Sequence, residues 1–282
     1  MLFFAVIMLA NVFASDEDFL GHKEIIRRFE TKIFTTNSRP LRHRMMRMEV
    51  RPHADRIQVY SIPSTVKTKV DLRFRDTATK RQFGSTCSAF GLAASMENAL
   101  FSIKPIDLSE RHLWNKYRKY SSKSAIKAAL NKGAITHEDL WAMGDIFPKF
   151  GYKKYAKAIL KSAPYIDTKV DLAIKALDQN KPVYLGLSVT DSLYACHKVV
   201  DPKSPPNGGG HAVSVVGYGL NQSIPGGGYF IIKNSWSADC GDHGYQYVPF
   251  NYCSREDMYC IMWVIDEVGL IGRYSQYDLS YE

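Results

Sequence analysis

Cys87 lies where the polar run Gln82-Phe83-Gly84-Ser85-Thr86 gives way to the helix-like stretch from Ala89 to Leu100. A thiol at a helix N-terminus sits in the partial positive charge of the aligned peptide dipoles, which favours thiolate, the form that attacks carbonyl carbon. An isolated thiol with a pKa near 8.5 is mostly protonated at neutral pH, so such a nucleophile also needs a base. His211 stands 124 residues further on in Gly209-Gly210-His211-Ala212-Val213, and Asn234 stands 147 residues further on in Lys233-Asn234-Ser235-Trp236. An imidazole can take the thiol proton and later return it to a leaving amine, then activate water against the acyl-enzyme. A neutral carboxamide can hold the ring in place without a charge that would quench proton donation, and Trp236 can cover that contact from water. The chemistry offered is acyl transfer from a carbonyl to a thiolate.

Two kinds of chain must position these groups. Residues 87–101, 109–120, 122–131 and 137–150 carry helix-compatible patterns, with Ser109 as N-cap and Gly133 as a breaker. Thr168-Lys169-Val170-Asp171 reads as a capping box, followed by Val170, Ala173, Ile174 and Leu177 on one helix face before Lys181-Pro182 ends the run. Strand-like runs follow at Val183–Val189, Ala212–Tyr218, Tyr229–Lys233, Gly244–Val248 and Ile261–Ile265, rich in β-branched and aromatic residues. The turn-rich loop 201–210 leads into His211 and is expected at the edge of the site. An α+β chain of this order puts the thiol on a helical half and the imidazole on a β-rich half, facing each other across a cleft.

The chain order Gln82, Cys87, His211 and Asn234-Ser235-Trp236 resembles that of the papain-like cysteine peptidases, in which His and Asn follow the Cys by roughly 130–150 residues. Val70-Asp71-Leu72-Arg73 resembles the mature start in that family, and Leu108-Ser109-Glu110 and Gly241-Asp242-His243-Gly244-Tyr245 resemble further segments of it. The likeness covers about residues 67–265. It departs at Gly84-Ser85-Thr86-Cys87-Ser88, which lacks the first cysteine and the tryptophan of the family's Cys-Gly-Ser-Cys-Trp, and in placing Gln82 five rather than six residues before the nucleophile. The resemblance implies a two-lobed papain-like fold, with a helical lobe of about 82–165 carrying the Cys and a β-barrel-like lobe of about 166–270 carrying His and Asn. It implies an endopeptidase whose catalytic residues are Cys87, His211, Asn234 and Gln82, the last donating with the Cys87 N–H to the oxyanion. It also implies an inhibitory prosegment, here 15–66, before a peptidase domain at 67–282. The same residues would serve an acyl-transferring enzyme of transglutaminase or transpeptidase type, and the fold could persist in a non-catalytic binding homologue.

The remaining features set the surroundings. With 282 residues and 45% hydrophobic side chains the composition is that of an ordinary globular chain. The net charge of +9 comes from scattered basic residues without a nucleic-acid motif, so no nucleic-acid partner is expected. The apolar run from Leu2 to Ala10, ending near Ala14, reads as a secretory signal peptide over 1–14 and is too short to span a bilayer. A secreted or lysosome- or vacuole-like location follows, with no stable membrane insertion. Within 15–66, Ile25, Ile26, Phe29 and Ile33 recur at helical spacing, and an extended stretch from Ile57 to Pro63 follows. Cys196, Cys240, Cys253 and Cys260 allow two bridges in three pairings. The family resemblance implies that Cys196 pairs with one of the other three. The cysteine spacings lack a zinc pattern, so neither metal nor other cofactor is expected. Protein or peptide substrates, the chain's own prosegment and a monomeric state complete the expectation.

Overall fold

The structure is a computed structural model, and it describes residues 65–117, 121–131, 135–154 and 157–271. The signal-peptide and prosegment readings fall almost wholly on residues 1–64, outside the described residues, as does Gly133.

Strand β1 (Lys69–Asp71) precedes helix α1 (Cys87–Leu100), α2 (Glu110–Tyr117) and α3 (Ser122–Asn131). After them come β2 (Lys157–Ser162), β3 (Tyr165–Asp167), α4 (Val170–Asp178), β4 (Val183–Thr190) and the single turn α5 (Asp191–Tyr194). Strands β5 (Pro206–Leu220), β6 (Gly228–Lys233), β7 (Tyr245–Pro249), β8 (Cys260–Val264) and β9 (Glu267–Ile271) complete the chain. Among the described residues one antiparallel sheet runs β3-β8-β4-β5-β6-β7 with β1 alongside β5, and β2 pairs with β9 in a separate ribbon. This is the mixed helix and antiparallel-sheet architecture expected of an α+β papain-like fold.

The α1 segment is helical because Ala89, Leu92, Ala93, Met96 and Leu100 are strong helix formers on apolar faces, all fully or nearly fully buried. They pack with Leu108, Leu113, Ala125 and Ile135 into one core cluster, joined by Tyr184, Ala212 and Trp263 from the sheet. The opposite sheet face, with Val183, Leu185, Val213, Val215 and Ile231, forms a second cluster under α4. The alternation along β4 and β5 thus divides their side chains between two cores. Where the helix crosses β5, Gly91 lies against the strand backbone. A Cβ there would stand 2.9 Å from the Ala212 carbonyl carbon and oxygen and from Val213 N.

Several sequence expectations need correction. The 137–150 stretch is not an α-helix but a short turn, Glu138–Leu140, followed by bends. Glu138 accepts from Met143 N at 3.0 Å and Asp145 accepts from Ala142 N at 3.0 Å, so side chains satisfy the backbone locally in place of helical bonds, and Pro148 blocks propagation. The capping box at Thr168 does not form: Lys169 is the N-cap of α4 and no side chain caps it. Residues 206–210 are not loop but the start of β5, paired through Thr190↔Pro206 and Ser188↔Gly210 across an irregularity in register. The short β1, β2, β3 and β9 lacked enough period to be read from the sequence. Ser109 does cap α2, its Oγ accepting from His112 N at 2.9 Å.

The close crossing predicts that Gly91→Val destabilises the chain by at least the roughly 1–3 kcal/mol typical of core overpacking. Urea denaturation reads this as a lowered midpoint at unchanged slope; a wild-type midpoint would contradict the packing described.

Candidate active site

Cys87 opens α1 and His211 lies on β5 next to Ala212, the residue that Gly91 lets the helix approach. The thiol and the imidazole are 7% and 2% exposed, so both sit inside the contact between helix and sheet rather than on an open surface. The backbone N–H groups of Ala212, Ser88 and Cys87 all act on the sulfur and favour its charged form. Burial outweighs them and pushes the Cys87 thiol up to about 11. Burial likewise pushes the His211 imidazole down to about 4, against the hydrogen bond to Asn234 that favours protonation. Burial therefore disfavours each charge taken alone.

His211 Nε2 and Asn234 Oδ1 are 2.8 Å apart, which turns the other ring nitrogen, Nδ1, away from Asn234. Trp236 stacks on the imidazole with centroids 4.3 Å apart and planes 20° from parallel, as a cover over that bond. Tyr194 meets Trp236 edge to face at 5.8 Å. Asn234 Oδ1 also accepts from Ser235 N at 2.7 Å, and its Nδ2 donates to Gln246 Oε1 at 2.7 Å.

The loop before Cys87 is tied to the same segment. Gln82 N donates to Ser235 O at 2.7 Å, Ser235 Oγ donates to Gln82 Oε1 at 2.7 Å, and Arg81 bridges to Trp236. Gln82 Nε2 donates to Gly84 O at 2.7 Å, with Gly84 at a φ of +55° that closes the tight turn. Thr86, the N-cap, spends its hydroxyl on Phe83 O at 2.7 Å and leaves the helix N-terminus without a side-chain cap. The donors at that end remain directed toward the sulfur's surroundings.

A group of charges lies close by, in which Glu97, Glu110 and Lys233 are buried. Lys80 Nζ meets Glu110 at 2.8 Å and Asp107 at 2.5 Å. Lys233, the residue before Asn234, donates to Thr77 O at 2.7 Å, and Thr77 donates to Glu97 at 2.6 Å. Glu97 in turn accepts from Leu108 N at 2.8 Å. Burial raises the Glu97 and Glu110 carboxyls, with Lys80 working in the opposite direction. Burial also works against the Lys80 ammonium, but Glu97, Glu110 and Asp107 outweigh it and hold its pKa above the ordinary range. Glu97, Asp107 and Glu110 converge closely enough to suggest a cation site, yet Lys80 already supplies the positive charge among them.

The structure thus brings Cys87, His211, Asn234 and Gln82 into one region. Lys80, Glu97, Lys233 and Gln246 were not singled out from the sequence. A glutamate amid Ala93, Ala94, Ser95 and Met96 was the available signal for Glu97, and a polar residue at an inward strand position was the signal for Gln246. His197, next to Cys196 in the sequence, has its Nδ1 3.1 Å from Ser192 Oγ. Cys196 bridges to Cys240 and Cys253 to Cys260, which resolves the three pairings and agrees with the implied partner set for Cys196. Cys87 is the free cysteine.

A family model described as papain family cysteine protease matches residues 66–262. An uncharacterized peptidase C1-like protein of Acanthamoeba polyphaga mimivirus is 32% identical over 135 residues, covering 45% of this chain and 42% of that protein. Among solved structures, xylellain, a cysteine protease from Xylella fastidiosa, superposes with a TM-score of 0.58 at 21% identity, covering 82% of this chain and 98% of that one. The digestive procathepsin L 3 of Tenebrio molitor larval midgut gives a TM-score of 0.58 at 19% identity, covering 88% of this chain and 89% of that one. These two likenesses concern the fold. The chain spans about half the length, or less, of the curated relatives it matches first.

The buried charges generate a test of their own. Lys80→Met leaves Glu97 and Glu110 without their shared cation and is expected to cost about 3–5 kcal/mol, as for other broken buried pairs. Both carboxyls already sit above their unfolded values, and without the ammonium they rise further. The deficit should therefore shrink toward acid, where they are protonated, and grow as pH rises through their folded pKa. Denaturation midpoints measured at acid and neutral pH check this; a deficit independent of pH would count against it.

Proposed function

The chain belongs to the papain family of cysteine proteases, and from that premise we propose that it is a secreted cysteine peptidase made as a zymogen, hydrolysing peptide bonds through Cys87 and His211. The observation that carries this reading is the 2.8 Å contact of His211 Nε2 with Asn234, because it commits the opposite ring nitrogen to the side away from Asn234, where a thiol can be its partner.

In this mechanism His211 Nδ1 takes the Cys87 proton, and the thiolate adds to the carbonyl carbon of a peptide or protein substrate. Charge on the carbonyl oxygen is met by the Cys87 N–H and by Gln82, whose amide carries a second N–H beside the one donated to Gly84. As the tetrahedral intermediate collapses, the C–N bond breaks and Nδ1–H protonates the departing amine. His211 then removes a proton from water, the resulting hydroxide attacks the thioester, and the proton returns to the sulfur as the acid leaves. Burial disfavours either charge alone, so thiolate and imidazolium form together, each offsetting the other's lost solvation.

Residues 1–14 act as the signal peptide, 15–66 as an intramolecular inhibitor and 67–282 as the peptidase domain, working as a monomer in a secreted or lysosome-like compartment. Supporting this are the apolar N-terminus, the two bridges between Cys196 and Cys240 and between Cys253 and Cys260, and the likeness in fold to a procathepsin.

The acid-treated chain should be labelled by an epoxide-type thiol inactivator at Cys87, located by mass spectrometry, and His211→Ala should remove the label. Labelling at another cysteine, or unchanged labelling in His211→Ala, would overturn the assignment. With a peptide substrate and an added amine, free acid as the product supports hydrolysis, whereas amide as the main product favours acyl transfer. Gln82→Ala should lower kcat by about 100- to 1000-fold, the usual loss for one oxyanion donor; an unchanged kcat would remove Gln82 from that role.

A further inference from the structure

We propose that Gln246 is a positioning residue that sets which nitrogen of His211 carries the proton, through a one-way chain of hydrogen bonds ending at the backbone carbonyls of Leu193 and His197.

Gln246 lies on β7 opposite Ile232 and is fully buried. Its Nε2 donates to His197 O at 2.8 Å and to Leu193 O at 3.2 Å. A carbonyl oxygen only accepts, so the end of the Gln246 carboxamide facing these two must be the NH2, and Oε1 must face the other way. There it accepts from Asn234 Nδ2 at 2.7 Å. With Nδ2 committed to Gln246, Asn234 must present Oδ1 to the imidazole 2.8 Å away, and an oxygen there requires a proton on His211 Nε2. Nδ1 is left unprotonated in the neutral ring and free to receive the thiol proton. Reversing any member would set two acceptors or two donors against each other in a buried site, which costs more than the bond is worth.

The far end of the chain is itself fixed. Leu193 and His197 belong to α5 and the turn after it. The Cys196–Cys240 bridge joins that turn to the segment following Trp236, with Gly241 N donating to Cys196 O at 3.1 Å. Ser235 N gives Asn234 Oδ1 a second lock at 2.7 Å, so removal of Gln246 weakens the preference without abolishing it.

The role in proton transfer rests on the peptidase reading, but the tautomer does not, and the test uses both. In the full chain labelled with nitrogen-15 histidine, NMR should show His211 as the Nε2–H tautomer with a slowly exchanging proton. Gln246→Met, similar in length but unable to hydrogen bond, should speed that exchange, populate the other tautomer and slow alkylation of Cys87 by about 10-fold or more. That is the lower end of losses when an outer partner of a functional histidine is removed. Gln246→Glu serves as the conservative variant and as insurance should the Met variant fail to fold. Its carboxyl accepts from Asn234 Nδ2 in either protonation state and, when protonated, also offers an O–H to His197 O, so it should keep the wild-type tautomer and bring the alkylation rate nearest to that of wild type toward acid. An unchanged tautomer and exchange rate in Gln246→Met would overturn the proposal. So would equal losses in both variants at every pH, which is the mark of packing alone. If wild-type Cys87 is not alkylated while the tautomer still depends on Gln246, the peptidase reading fails and the hydrogen-bond chain stands.

Discussion

The near-contact of α1 with β5 at Gly91 is the constraint on which the site depends. A thiol on α1 and an imidazole on β5 can meet only if the helix N-terminus and the strand come within backbone distance, and a side chain at 91 would hold them apart. That closeness has an electrostatic consequence. It removes water from both groups, so the thiol is pushed up and the imidazole down.

The same contact carries charges deeper down. Lys80, Glu97, Glu110 and Lys233 are drawn from the segment before α1, from α1, from α2 and from β6, and they are linked by ion pairs and by hydrogen bonds through Thr77. Glutamates in this position would be costly without their cations, so the group constrains how the elements assemble. Lys233 precedes Asn234 directly, which links this constraint to the carboxamide that orients His211. Above it, the path from Leu193 and His197 through Gln246 and Asn234 to the imidazole passes only through groups whose donor and acceptor ends are chemically distinct.

Much of this was legible in the residues. Cys87, His211 and Asn234 stand out because a thiol before an apolar helix, a histidine entering an apolar strand and an Asn-Ser-Trp turn are a rare combination at these separations. The strands from 183 onward show because β-branched and aromatic residues fill them. What escaped had a physical reason in each case. The 137–150 stretch has helical spacing, but Glu138 and Asp145 bond their own neighbouring backbone and Pro148 follows, so local turns win. Residues 206–210, rich in Gly and Pro-adjacent turn types, extend β5 because β4 offers partners there. Gln246 drew no notice because its importance lies in three partners distant in the chain, which alternation along a strand does not reveal.

The claim that Cys87 and His211 ionise as one unit is tested most directly by titrating the thiolate through its ultraviolet absorbance, taken as the difference from Cys87→Ser. The account predicts two linked steps in the activated wild type, with thiolate present between them. In His211→Ala it predicts a single step well above the ordinary thiol range. Superimposable titrations of the two proteins would contradict it.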